Sequence, residues 1–350
     1  MEPTAAATTR LELPDDWDSV NEHFIAEGWS DGLPIVPPTE DRVRRFVAAS
    51  GREPSEVVAA LPPAMGVATV EKIAVNSVMA GCRPEYMPLL CAALEAIADP
   101  VFNGHTIQVS SNPVGVLVLV NGPIRRALDI AVGANCMGNG ARANVTIGRA
   151  VRLMLVNVGG GTVGSIDKAC HGFPGKISFC FGENEEESPW RPLHVERGFA
   201  PDDSTVTVIG AQGTSNILVH GELTAADLLP TLAHGMINAG ANNFALGPGE
   251  PLLVLNPGHA RALAADGVDR IALREYLFQH ARVPIEWYPS RAQEKSFMAE
   301  RAVNGHIPIT DRPERIMVVV AGAPGSHSTF IPTFAETTAV TRRVDAPAGT

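Results

Sequence analysis

The segment from Gly160 to Ser204 concentrates the side chains most able to do chemistry: Cys170, His171, Lys176, Cys180, Glu183, Glu185, Trp190, His194 and Arg197, separated by glycines and prolines. Three chemistries fit those residue types. As a metal centre, His171, Cys180 and His194, with Glu183, offer imidazole, thiolate and carboxylate ligands suited to zinc or iron, although no H-E-x-x-H or paired-cysteine spacing accompanies them. As a nucleophile site, Cys180 near Lys176, or Cys170 beside His171, would supply a thiolate with a cation close enough to lower its pKa. Adjacent strand residues point to opposite faces, so the adjacency of Cys170 and His171 is weak support. As a carboxylate site, Glu183 and Glu185 share one strand face and suit acid–base work, whereas Glu186 and Glu187 read as a solvated acidic turn. The expected catalytic set is therefore Cys180, Lys176, His171, Glu183 and His194. Asn144, Asn243, Trp190, Arg197, His259 and His327 are the expected substrate contacts.

The elements that must hold these groups follow from apolar spacing and breakers. Trp17, Val20, Phe24 and Ile25 space a helix over 15–27 closed by Gly28, and Thr39 opens another to about Ser50. A Pro/Gly-punctuated stretch that cannot be a helix lies between them. Further helices are predicted over 69–80, 84–98, 259–265 and 271–280, with a strand over 316–320. Residues 147–156 fit helix or strand equally well. Residues 106–159 slide onto 205–258 at a constant offset of 99 residues, with matches enriched in Gly and Asn. This predicts an internal duplication within a mixed-sheet α/β fold. The expected organisation is an N-terminal helical region (1–100), a first α/β repeat (101–159), the polar insertion (160–204), a second repeat (205–260), and C-terminal helices, strand and tail (261–350). Residues 1–13 read as a loose leader and the chain after Val344 as a frayed tail. Three glycine-bearing ends, Asn157–Gly161, Asn256–His259 and Gly322–Ser328, could turn backbone N–H groups toward an anion; none is a P-loop or a G-x-G-x-x-G.

Composition sets the outer limits. The 350 residues are 45% hydrophobic and 19% charged, which fits a compact globular chain and excludes a disordered or collagenous one. A net charge of −11 argues against nucleic acid as a partner. The longest clean apolar stretch, Val114–Val120, is too short to span a bilayer. With no secretory signal pattern, a cytoplasmic setting with five reduced cysteines is expected. Base rates for soluble oligomers make a homodimer the expectation.

Four strings carry a resemblance. They are Gly28-Trp29-Ser30-Asp31-Gly32-Leu33-Pro34-Ile35-Val36-Pro37-Pro38-Thr39, Arg142-Ala143-Asn144-Val145-Thr146-Ile147-Gly148-Arg149-Ala150, Gly182-Glu183-Asn184-Glu185 with Ser188-Pro189-Trp190, and Leu193-His194-Val195-Glu196-Arg197-Gly198. Together they resemble a bacterial family found alongside, or fused to, small proteins bearing a Sec/Cys-Gly-Ser-Cys motif, the UGSC proteins. The resemblance runs from roughly Pro14 to Val344 and implies that these polar motifs line a working pocket. It also implies that a thiol or selenol partner, if one is needed, is another polypeptide, because this chain has no C-G-S-C of its own.

The expected function is cleavage of a carbon–heteroatom bond, hydrolytic or eliminative, in a small polar organic molecule. The alternatives are a non-catalytic substrate-binding or scaffold subunit of a redox complex, and a metal-dependent lyase or hydrolase.

Overall fold

The computed structural model describes residues 9–220, 223–291, 297–335 and 337–345. Most of the leader and tail read from the sequence, residues 1–8 and 346–350, lie outside them.

In the N-terminal third, α1 (Trp17–Ala26), α2 (Glu40–Ser50), α3 (Val70–Met79) and α4 (Met87–Ile97) form where the spacing predicts them; the hairpin of β1 (Val57–Leu61) and β2 (Gly66–Thr69) between α2 and α3, and the short helix α5 (Gly104–Val109) where the first repeat is expected to begin, lie outside that expectation. Local chemistry fixes the ends. Asp16 accepts from the Ser19 amide to cap α1, Thr69 accepts from the Lys72 amide to cap α3, and Gly51 closes α2 in the left-handed region at φ 67°. Then come β3 (Gly115–Asn121), α6 (Ile124–Ala127), α7 (Arg142–Asn157), β4 (Cys180–Gly182), α8 (Leu193–Glu196), β5 (Thr205–Ala211) and β6 (Ser215–Leu218). The chain continues through α9 (Ala225–Gly235), α10 (Asn242–Ala245), β7 (Leu252–Leu255), α11 (Pro257–Ala265) and α12 (Arg270–His280). A small hairpin of β8 (Arg282–Pro284) and β9 (His306–Pro308) precedes β10 (Met317–Val320), β11 (His327–Ile331) and β12 (Val340–Arg343).

Two four-stranded mixed sheets organise this α/β fold, in the orders β12-β5-β3-β4 and β10-β7-β11-β6. Strand alternation assigns each face. Leu117 and Leu119 of β3, Phe181 of β4, Leu252 and Val254 of β7, and Met317 and Val319 of β10 meet in one core between the sheets. Val118 and Val120 of β3 and Cys180 of β4 point the other way, into a core with α3, α4 and α7. Leu253 and Leu255 of β7 and Val318 and Val320 of β10 do the same toward α9, α11 and α12. The layers are therefore helices, sheet, sheet, helices.

The duplication at an offset of 99 is not what the strands do. That alignment places helix α5 opposite β5 and helix α7 opposite α10 and β7. The ambiguous stretch 147–156 is helix because Ile147, Val151 and Met154 share one buried face. The regularity lies in the pairing. Read β12-β5-β3-β4 and β6-β11-β7-β10, both sheets run antiparallel, antiparallel, parallel. Each also takes its edge strand across: β6 follows β5 in the chain but joins the second sheet, and β12 follows β11 but joins the first. The four strands of the first sheet come from four different segments of the organisation read from the sequence, so those segments do not fold as separate layers.

Candidate functional site

The parallel pair β3 and β4 ends in the most charged buried region of the molecule. Val120 pairs with Gly182, so Asn121 and Glu183 leave the sheet side by side. Asn121 Nδ2 donates to Glu183 Oε2 at 2.6 Å and to Glu185 Oε1 at 3.0 Å. The Leu193 amide, opening α8, donates to Glu183 Oε2 at 2.8 Å. Arg125, one turn past β3 and 3% exposed, donates to the Glu183 carbonyl at 2.6 Å and to Glu185 Oε2 at 2.7 Å, and also meets Glu186. From α12, Arg270 brings Nη2 to 3.4 Å from Glu183 Oε1 and Nη1 to 3.0 Å from Glu196, with its guanidinium over the Trp190 ring. The second sheet closes the region, because the Asn184 amide donates to the Val320 carbonyl at 2.7 Å.

Burial, opposed by the Arg270 charge and by the bonds from Leu193 and Asn121, pushes the Glu183 carboxyl above its ordinary 4.5. Glu186 goes the other way, down to about 2, because Arg125 and Arg126 hydrogen-bond its ionised form. The expectation of a solvated acidic turn holds for Glu186, which lies exposed on a turn, although Arg125 and Arg126 pair with it. It holds also for Glu187, whose one ion pair, with Arg261, is half-exposed. Among the described residues, four buried polar atoms beside these carboxylates make no hydrogen bond: Asn121 Oδ1, His194 Nδ1, Arg270 Nε and Arg270 Nη1, the last held only by its ion pair with Glu196. His194 Nδ1 stands 3.8 Å from Glu185 Oε1. Buried donors and acceptors left open like this are uncommon and call for a physical explanation.

Of the predicted catalytic set, Glu183 and His194 belong here and the rest do not. Cys180 sits in β4 with its side chain in the helix-facing core, and burial pushes its thiol far above the ordinary range, so it is no thiolate. Lys176 is held 2.6 Å from Asp167, which also takes Arg152 at 2.8 Å. Burial lowers the Lys176 pKa; for Asp167 burial acts upward, but Lys176 and Arg152 outweigh it and hold the carboxyl low. The void lined by Lys176 and Arg152 is only about 10 Å³. His171 is exposed. The structure therefore does not assemble His171, Cys180 and His194 as ligands, and among the described residues no group of three or more His, Cys, Asp or Glu could hold a metal.

The predicted substrate contacts mostly brace backbone. Asn144 bonds Ala131 and the Cys136 carbonyl. Asn243 bonds the Pro248 carbonyl and both the amide and hydroxyl of Thr333. Arg197 ties the Ala339 carbonyl and Thr341 to α8. Trp190 lies under Arg270 at the edge of the charged region. Two of the three glycine-bearing ends converge. Asn256 caps α11 through the His259 amide and donates to the His327 carbonyl, and His259 Nδ1 lies 2.8 Å from Ser328 Oγ. Burial lowers the His259 pKa. The exposed His327 pairs with Asn216 across the sheet edge. The third end, Asn157–Gly161, packs elsewhere, with Asn157 bonded to the Trp29 carbonyl and to Asn76.

Sequence reading missed Asn121, Arg125 and Arg270. Asn121 left a trace, an Asn-Gly closing an apolar strand, whereas an arginine on an amphipathic helix carries no local mark of its partner.

The cysteines supply a direct check. Cys170 is exposed; burial raises Cys82 to about 12, Cys91 to about 11, and Cys136 upward. A thiol reagent near pH 8 should label Cys170 rapidly and the other four only after denaturant is added. Fast labelling of Cys180 in the folded protein would contradict its placement in β4.

Among the described residues no helix is long and apolar enough to cross a membrane. No family model, no curated protein and no solved structure matches the chain.

Proposed function

We propose that the protein is a small-molecule enzyme that breaks a carbon–heteroatom bond by moving a proton through the Glu183 region, without a thiolate of its own. The observation that carries this reading is the convergence of open polar atoms on Asn121, His194 and Arg270 around a buried carboxyl whose proton is held unusually tightly. A carboxyl in such surroundings can act as a general acid nearer neutral pH than an exposed one. Arg270 supplies fixed positive charge for a leaving group that gains negative charge, and the Asn121 amide orients the carboxyl. A thiol or selenol, where the reaction needs one, would come from a partner protein.

The test is turnover of a panel of short β-hydroxy, β-amino and β-thio acids and their amides, followed by mass spectrometry. Glu183→Gln is expected to lower the rate about 10²- to 10⁴-fold, with His171→Ala unchanged. Turnover that survives Glu183→Gln in a folded protein sinks the reading. The same variant has a readout independent of substrate. Because the folded-state pKa of Glu183 is raised, the native state holds its proton longer than the unfolded chain, so its contribution to stability falls as pH climbs from about 4.5 through the raised value. Glu183→Gln should flatten that part of the stability profile.

One observation favours a second reading, a non-catalytic binding or scaffold subunit of a redox complex. Arg125, Arg270 and Asn121 already neutralise and bond the carboxylates between the two sheets, as a structural clamp would. Panel members that bind without being converted would favour this reading.

A further inference from the structure

Away from the charged region, a cleft of about 260 Å³ opens between the N-terminal helices and the start of α7. It is lined by four arginines, Arg42 and Arg45 from α2, Arg83 after α3, and Arg142 from α7, together with the apolar Val36, Phe46, Val78 and Pro84. No carboxylate is among its lining residues. In a chain of net charge −11, four guanidinium groups around one hollow are a local reversal of sign.

The arginines keep donors in reserve. Arg142 spends Nε and Nη2 on the Gly81 and Cys82 carbonyls, leaving Nη1. Arg42 gives Nη1 to the Pro37 carbonyl at 2.8 Å. Among the described residues Arg83 reaches only Asp129, an exposed carboxylate 3.7 Å away. Arg45 makes no hydrogen bond or ion pair among the described residues. The two acids of α2 are engaged elsewhere, Asp41 with Arg44 and Glu40 with Arg10. Each guanidinium carries five N–H donors, and a fork of them matches a carboxylate or phosphate edge.

Two further segments that the Glu183 region does not use each add one residue to the lining. Gly28–Thr39 contributes Val36, and Arg142–Ala150 contributes Arg142. They are locked together by Arg149, which grips Asp31 with two bonds of 2.7 Å. This buried fork fixes the cleft wall without needing a ligand.

We infer that this cleft binds a small organic anion, a carboxylate or phosphate carried on a short apolar body. The guanidiniums take the charge, and Val36, Phe46, Val78 and Pro84 cover the carbon part. The volume lies just below the range of drug-sized pockets and suits a molecule of a few carbons.

Isothermal titration of the full-length protein with butyrate, phenyl phosphate, inorganic phosphate and the neutral butyramide tests this. Saturable binding of butyrate or phenyl phosphate is expected, and which of the two binds more tightly identifies the headgroup. Butyramide should bind at least about tenfold more weakly, for want of the charge. Inorganic phosphate should be weaker than phenyl phosphate, for want of the apolar body. Arg45→Gln, exposed and without a structural partner, should weaken the anion about tenfold. Arg83→Gln should act in the same direction, and Arg44→Gln, outside the cleft, should change nothing. The inference is overturned if neither organic anion saturates, if butyramide binds as well as butyrate, or if both Arg45→Gln and Arg83→Gln retain native affinity.

Discussion

Replacing Arg125 with alanine is expected to remove about 3–5 kcal/mol of folding stability, while the same change at the solvent-exposed Arg126 should leave stability essentially unchanged. Both arginines meet Glu186, yet their surroundings differ: the Arg125 side chain is 3% exposed and that of Arg126 is 73% exposed. Arg125 holds four groups at once, the Gly122 and Glu183 carbonyls and the Glu185 and Glu186 carboxylates. Removing it leaves Glu185, itself only 12% exposed, as a buried charge without its main counter-ion. Against a typical total stability of about 5–15 kcal/mol the loss is severe. Urea unfolding monitored by circular dichroism reads it as a lower midpoint at unchanged slope. Arg125→Met combined with Glu185→Gln should cost less than Arg125→Ala alone, because the stranded charge is gone. Equal losses in the two alanine variants would mean that the region is solvated and the assigned burial is wrong.

Gly148→Ala should destabilise the protein by about 1–3 kcal/mol, the opposite sign from the usual rule. In the interior of a helix alanine is favoured over glycine by about 1 kcal/mol. Gly148 lies in the middle of α7, where that preference would apply if its surroundings were open. They are not: an added Cβ would lie 2.5 Å from Ser178 Oγ and 2.6 Å from the Phe179 amide nitrogen. Ser178 could rotate, but the Phe179 backbone leads directly into β4 and cannot retreat without moving the strand that positions Glu183. The helix therefore gives up propensity for close approach to the sheet. Thermal unfolding of Gly148→Ala beside the exposed control Val145→Ala checks the sign. A more stable Gly148→Ala protein would place α7 farther from β4 than described.

Much of the scaffold is legible in the sequence because it is specified locally. Asp16, Thr69, Asn256 and Asp269 cap helices through their own side chains, and the apolar spacing of 17–26, 70–79 and 270–280 marks the faces those helices bury. Strand partners are another matter. The alternation in β3 and β7 says which residues alternate faces, not which strand lies beside them, and both end in an Asn next to Gly and Pro. Such residues mark chain reversals wherever they occur; the offset of 99 sets Asn121 against His220 and Asn157, the end of helix α7, against Asn256, after β7, so it tracks turns and not topology. Glu183 and His194 could be picked out because acidic and imidazole groups stood in an otherwise turn-like connector. Cys180 reads as a nucleophile from sequence for a related reason: a thiol in a short apolar run is as well suited to packing as to chemistry, and only the strand register decides. Arg125 and Arg270 meet their carboxylates across |i−j| separations of 60 and 87 residues, beyond any local pattern.

The crossing of β6 and β12 between the sheets has a consequence for how the chain is made. Until residues 340–343 have left the ribosome, the Thr205–Val208 part of β5 lacks the strand that pairs with its outer flank. Neither half can mature by itself, since each borrows its outermost ribbon from the other. The molecule is thus indivisible in the way an interlocked clasp is. Its assembly must wait on the most distant strand pairing among the described residues, so slow maturation and dependence on residues 340–343 are built into the topology.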